Sequence, residues 1–77
     1  MPMADRIADL RGLRCPLPVL KARKLMHTLA PGDKLVLECT DPMTAIDIPH
    51  FAKQEGHMLE QQERRGEIYV YAITKAK

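Results

Sequence analysis

Five residues constrain the chain more than any others: Arg14-Cys15-Pro16-Leu17-Pro18. A proline inside a helix costs about 3 kcal/mol. In the first turn the cost is small, because the N–H groups there have no partner within the helix. A helix-like pattern follows, so the spacing predicts a helix in which Pro16 and Pro18 are the first and third residues and Cys15 lies at or beside the N-cap. The two rings hold φ near about −65° and pre-set the turn. A sulfur in that place faces the positive end of the helix dipole, which favours thiolate over thiol. The prolines also remove two donors, leaving the N–H groups of Leu17 and Val19, while Arg14 and Lys21 add positive charge. The expectation is a moderately lowered thiol pKa. The plainer alternative is a small apolar residue that happens to start a helix.

At 77 residues the chain is one domain, taken as residues 1–77 with a core from about 5 to 75. A domain this short buries only about 60% of its unfolded surface, so a site belongs on its surface and not in a deep pocket. No apolar run approaches the roughly 20 residues of a membrane span, and Met1 to Arg6 lacks the charged-then-apolar pattern of a signal peptide. The expected location is the cytoplasm, where two cysteines stay reduced. The net charge of +2 is unevenly spread. Residues 10–32 hold five basic side chains (Arg11, Arg14, Lys21, Arg23, Lys24) and no acid, whereas residues 38–63 hold six acids and one Lys or Arg, Lys53. The basic stretch reads as an apron around Cys15 suited to an acidic partner, or else as a solvated helix face.

In chain order, Arg6 to Arg11 reads as a short strand with Ala8 and Leu10 on one face, and Gly12 as the turn out of it. The first helix, Pro16 to about Leu29, has an apolar stripe of Val19, Ala22, Met26 and Leu29 flanked by Leu25, with Leu17 and Leu20 left exposed near the cysteine. Pro31-Gly32-Asp33 ends it. Lys34 to Thr40 is the clearest strand, with Leu35, Leu37 and Cys39 alternating towards the core. Thr40-Asp41-Pro42 opens a second helix reaching Glu55, which Pro49 should kink or split. Asp47 is then a cap for its second half, with Ile46, Phe51 and Ala52 on the core. Met58 to Arg64 is a weak strand, Arg65-Gly66 a tight turn, and Glu67 to Thr74 a firm strand. In that last strand Ile68, Val70 and Ala72 are taken as the core side. Tyr69, Tyr71 and Ile73 are taken as an outer face able to support self-association. The tail Lys75-Ala76-Lys77 is expected to fray. The order β-α-β-α-β-β predicts a two-layer α/β (α+β) sandwich, two helices on one face of a four-stranded mixed sheet, if the first three strands run parallel.

Several chemistries find little support. Cys15, Cys39, His27, His50 and His57 show no metal-ligand spacing, so no metal is expected. A dithiol of Cys15 and Cys39 requires Cα atoms within about 7 Å and stays open. There is no phosphate loop, no Ser-His-Asp pattern, and too few aromatics for a base-stacking platform. What remains is a cysteine at a helix start, rimmed with positive charge, on a chain too small for a substrate pocket and with no general base in sequence reach. Such a thiol suits a carrier that receives a group from one protein and gives it to another.

The stretch Asp9-Leu10-Arg11-Gly12-Leu13-Arg14-Cys15-Pro16-Leu17-Pro18 resembles the signature of the TusA/SirA family of sulfur-carrier proteins. Pro31-Gly32-Asp33, Asp41-Pro42, Asp47-Ile48-Pro49, Phe51 and Gly56-His57 follow in the family's order, and the match covers nearly the whole chain. The resemblance implies the fold above. It implies a sulfurtransferase in which Cys15 takes sulfane sulfur as a transient persulfide from a cysteine desulfurase or rhodanese, and passes it to an acceptor protein. No other cofactor is involved. The outlets it implies are tRNA 2-thiolation, molybdenum-cofactor maturation and sulfur oxidation. Gly12, Arg14, Pro16 and Pro18 would shape the active turn; Leu17, Lys21 and Lys24 would meet partners. A monomer or weak dimer without stable nucleic-acid or membrane binding is expected. Ala52 stands where many relatives carry a second cysteine. The alternative function is a non-catalytic regulatory or protein-interaction module.

Overall fold

The structure, a computed structural model, describes residues 5–76. The expectations for the residues before Asp5 and for Lys77 lie outside that range. The elements are β1 (Asp5–Leu10), α1 (Leu17–His27), β2 (Lys34–Cys39), α2 (Thr44–Gln54), β3 (Met58–Arg65) and β4 (Ile68–Thr74). The sheet order is β1-β2-β4-β3. β1 and β2 are parallel, with Leu10 opposite Cys39, while β4 is antiparallel to both β2 and β3. β4 therefore enters between β2 and β3, and the first three strands all point the same way. This is the expected mixed sheet, with two helices packed on one face.

The face that meets the helices alternates as a strand must. Leu10, Leu35, Leu37, Cys39, Tyr71 and Ile73 from the sheet meet Ala22, Met26, Leu29, Ile48, Phe51 and Ala52 from the helices. Each large side chain removed from water in this layer contributes about 1.5–3 kcal/mol. The faces of β1 and β2 are as expected. The face of β4 is reversed: Tyr71 and Ile73 are fully buried and Tyr69 packs against the core, so they form no outer surface for self-association. The tyrosine can enter the core because its hydroxyl finds a partner there, Thr44 Oγ1 at 2.9 Å. β4 is also an interior strand. Ile68 and Val70 on the open side are only half exposed, and both faces being apolar made the two phases hard to separate.

The helices begin and end differently from expectation. In α1 the N-cap is Pro16, so Leu17 and Pro18 are its first two residues, and it closes at His27. Pro18 joins Ala22 and Met26 on the buried side, while Val19 and Leu25 are half buried. Lys75 is not frayed: its Nζ donates to the carbonyls of Met26 and Leu29 at 2.8 and 2.6 Å, closing the end of α1 with a cation.

α2 begins at Thr44, after a turn at Pro42, and Pro49 lies inside it without splitting it. The proline leaves the Ala45 carbonyl without its usual donor, and Gln62 Nε2 from β3 stands 3.5 Å away in its place. With the helix continuous, its buried face is Thr44, Ile48, Phe51 and Ala52. Ile46, expected in the core, is 65% exposed, and Asp47 caps no second segment.

Candidate functional site

Because β1 and β2 are parallel, the segments that leave them emerge at the same end of the sheet. Gly12 to Cys15 follows β1 and Thr40 to Met43 follows β2. Gly12 has φ of +83°, a value that suits glycine, and its N–H donates to Thr40 Oγ1 at 2.9 Å. The Cys15 N–H donates to Asp41 Oδ2 at 2.7 Å. Asp41 Oδ1 accepts from the Met43 N–H at 3.0 Å, and its carbonyl accepts from the Thr44 N–H and hydroxyl at 3.0 and 2.6 Å. With that hydroxyl proton committed, Tyr71 donates to Thr44 Oγ1. A hydrogen-bonded line thus runs from the core through Thr44 and Asp41 to the backbone of Cys15.

Cys15 itself is exposed and its thiol is free. The thiol donates to Asp47 Oδ2 at 2.8 Å. Asp47 lies near the start of α2, and a short cleft of roughly 200 Å³ runs on from the sulfur past Val19, Arg23, His50, Phe51 and Gln54. Arg23 lies over the Phe51 ring at 5.8 Å. On the other side of Cys15, Gly12, Arg14, Thr40 and Asp41 border a wider, open hollow. Neither is an enclosed substrate pocket.

The electrostatics reverse one expectation. The hydrogen bond to Asp47 pushes the Cys15 thiol pKa up, with desolvation and the charges of Asp47 and Asp41 acting the same way. The start of α1 has little to set against this. Pro16 and Pro18 carry no N–H, and the Leu17 N–H is used by the Arg14 carbonyl at 2.8 Å. Asp41 is held below the ordinary carboxylate range, chiefly by the Cys15 and Met43 N–H groups, with Arg14 helping.

Of the residues singled out in the sequence, Cys15 and Pro16 line the cleft at the sulfur, while Gly12 and Arg14 line the hollow beside Asp41. Pro18 packs inward. Leu17, 48% exposed, and Lys21 and Lys24, also exposed, lie along α1 as an outer surface. The Cys15 sulfur thus meets the Asp47 carboxylate and the Cys15 N–H meets Asp41, with Arg23 lining the same cleft and Lys21 and Lys24 on the exposed side of α1. A base within reach, absent from the sequence reading, is present in Asp47. Its signal lay in Asp41-Pro42 and Asp47-Ile48-Pro49, which read as helix punctuation. Two parallel strands, each followed by a loop and a helix start, bring residues of those loops and first helical turns together at one end of a sheet. Cys39 is fully buried and unbridged; burial pushes its thiol up to about 11.

Comparison with known proteins decides the family. Residues 6–75 match the model of the family described as sulfurtransferase TusA. The chain belongs to the TusA family. The sulfur carrier protein TusA of Pseudomonas paraeruginosa is 42% identical over 71 residues, covering 92% of this chain and 90% of the relative. The protein of the same name from Pseudomonas aeruginosa matches equally well. A crystal structure of a SirA-like protein from Desulfitobacterium hafniense superposes with a TM-score of 0.80 over 92% of this chain and 97% of that one. Its sequence is 21% identical, and it supports the fold. The TusA match spans the Cys-Pro-x-Pro turn and both aspartates.

Proposed function

We propose that this chain is a sulfur carrier that accepts sulfane sulfur on Cys15 as a persulfide and relays it to an acceptor protein. The observation that carries this is a free, exposed thiol at the Cys-Pro-x-Pro turn of a chain matching the TusA model over residues 6–75. Its relatives are named sulfur carriers. In the loading step the Cys15 sulfur attacks the outer sulfur of a donor persulfide. A new S–S bond forms on Cys15 and the donor's S–S bond breaks. The electron pair leaves with the donor's inner sulfur, which takes up the proton that Cys15 gives up. In unloading, an acceptor thiol repeats the attack on the Cys15 persulfide. Sulfur moves between thiols with no net oxidation, so no redox cofactor is required.

The donor is a cysteine desulfurase or a rhodanese, and the acceptor a protein of tRNA 2-thiolation, molybdenum-cofactor or sulfur-oxidation chemistry. The shallow surroundings of Cys15 fit this division of labour, because reacting groups beyond the thiol come from the docked protein. Gly12, Arg14, Pro16 and Pro18 hold the turn, and Leu17, Lys21 and Lys24 meet the partner. Incubation with a cysteine desulfurase and cysteine, followed by intact mass measurement, tests the reading. One added sulfur atom on the wild type and none on Cys15→Ser is expected. A wild type that gains none, or a Cys15→Ser protein that gains one, overturns it.

A further inference from the structure

We propose that Asp47 is a positioning residue that holds the unloaded Cys15 sulfur protonated and turned towards α2, and that loading with sulfur releases it outward. The proposal rests on Cys15 being the sulfur-carrying residue. Its ground is the 2.8 Å contact in which the thiol is the donor and the Asp47 carboxylate the acceptor. A carboxylate accepts this bond only while the sulfur keeps its proton. The empty carrier therefore has a latched thiol, and the latch is fixed on a helix. Asp47 sits one turn into α2, whose neighbours Ile48 and Phe51 are buried, so its backbone has little freedom to withdraw.

The charged and titratable groups around the sulfur come from every element that meets there. α2 supplies Asp47 and His50, the loop before it Asp41, the loop before α1 Arg14, and α1 supplies Arg23 across the cleft. Of these the carboxylate of Asp47 touches the sulfur. Asp41 is engaged by the backbone of Cys15 and does not bond the sulfur.

Loading changes the sign of the Asp47 interaction. A persulfide gives up its proton more readily than a thiol, and a persulfide anion has no hydrogen to donate. Two negative groups at hydrogen-bond distance repel, and Asp41 adds to the repulsion. The outer sulfur then turns away from α2, towards the open side where an acceptor must approach. One carboxylate thus does two things: it lowers the nucleophilicity of the empty carrier towards stray electrophiles, and it presents the cargo.

The test needs no sulfur donor, so it is separable from the relay itself. The alkylation rate of Cys15 by neutral iodoacetamide is followed against pH in wild type, Asp47→Asn, Asp47→Ser and Asp47→Glu. Cys39 is buried, and mass mapping confirms which thiol reacts. Removing the charge in Asp47→Asn is expected to move the profile to lower pH and to speed alkylation several-fold near pH 7. The high-pH plateau should fall or stay level, because a less basic thiolate is a weaker nucleophile. Asp47→Ser should do the same, and Asp47→Glu, which keeps the charge, should remain near wild type. A merely structural role for Asp47 would not move the midpoint in that direction. Profiles of Asp47→Asn and Asp47→Ser that coincide with wild type or shift to higher pH overturn the proposal, even if sulfur loading on Cys15 is intact. Loss of loading in wild type with a shifted Asp47→Asn profile would instead overturn the relay and the release on loading, leaving only the Asp47 contact to the protonated thiol.

Discussion

At the scale of single residues, the two cysteines have opposite environments. Cys15 is exposed and bonded to a carboxylate; Cys39 is sealed under the helices beside Leu37 and Tyr71. Cys39→Ala should therefore lower stability by about 1–2 kcal/mol through the small void it leaves, while sulfur loading of the native protein is unchanged. Thermal melting and intact mass on the same sample check both halves. The core role of Cys39 was legible in the sequence, because strict alternation over Leu35, Leu37 and Cys39 fixes the phase of a strand. The acidity of Cys15 was not. A helix dipole is a local property and can be read from Pro16 and Pro18. The carboxylate that outweighs it is 32 residues away along the chain, and only the parallel pairing of β1 with β2 brings it near.

At the scale of elements, the site depends on how α2 is tied to the sheet. Thr44 is 1% exposed and its hydroxyl joins the Asp41 carbonyl to the Tyr71 hydroxyl. Thr44→Val keeps the shape but leaves the Tyr71 hydroxyl buried without a partner, while the Asp41 carbonyl keeps only the backbone N–H of residue 44. A cost of about 1–3 kcal/mol is expected, seen as a fall in Tm of very roughly 5–20 °C for a domain of this size. Loading of Cys15 should also slow, since Asp41 loses one of the contacts that hold it. Urea unfolding and loading kinetics separate the two effects. The order and type of all six elements were legible from Gly, Pro and apolar period. Two phases were not. Pro49 appeared to break α2, which displaced Ile46 into the expected core and turned Asp47 into a cap. In the protein the helix continues, and the residues three and four apart that face the sheet are Thr44, Ile48, Phe51 and Ala52. In β4 both faces are apolar, and alternation alone puts Val70 inward and Tyr71 outward, the reverse of the protein.

At the scale of the whole molecule, charge and exposure divide the surface. The carboxylates Asp41 and Asp47 sit at the sulfur, and Lys21 and Lys24 lie further along the exposed side of α1 with Leu17 and Leu20, each about half exposed. Under the proposed function, this basic strip is the surface that would draw an acidic partner. Reversal of Lys21 and Lys24 to glutamate should slow sulfur loading and flatten its salt dependence, since exposed charges act over only about 8–10 Å at physiological salt. The melting temperature should change little, and an unchanged loading rate at low salt would count against the strip.

The relay itself is tested most directly by finding where the sulfur goes. Trypsin separates the two thiols, cutting after Arg14 and Lys21 around Cys15 and after Lys34 and Lys53 around Cys39. After a brief incubation with a desulfurase and isotopically labelled cysteine, followed by trapping and digestion, the label should be confined to the peptide from Cys15 to Lys21. It should leave that peptide when an acceptor thiol is added. Label on the Cys39 peptide with Cys15 bare, or label on Cys15 that no thiol can remove, would contradict the account.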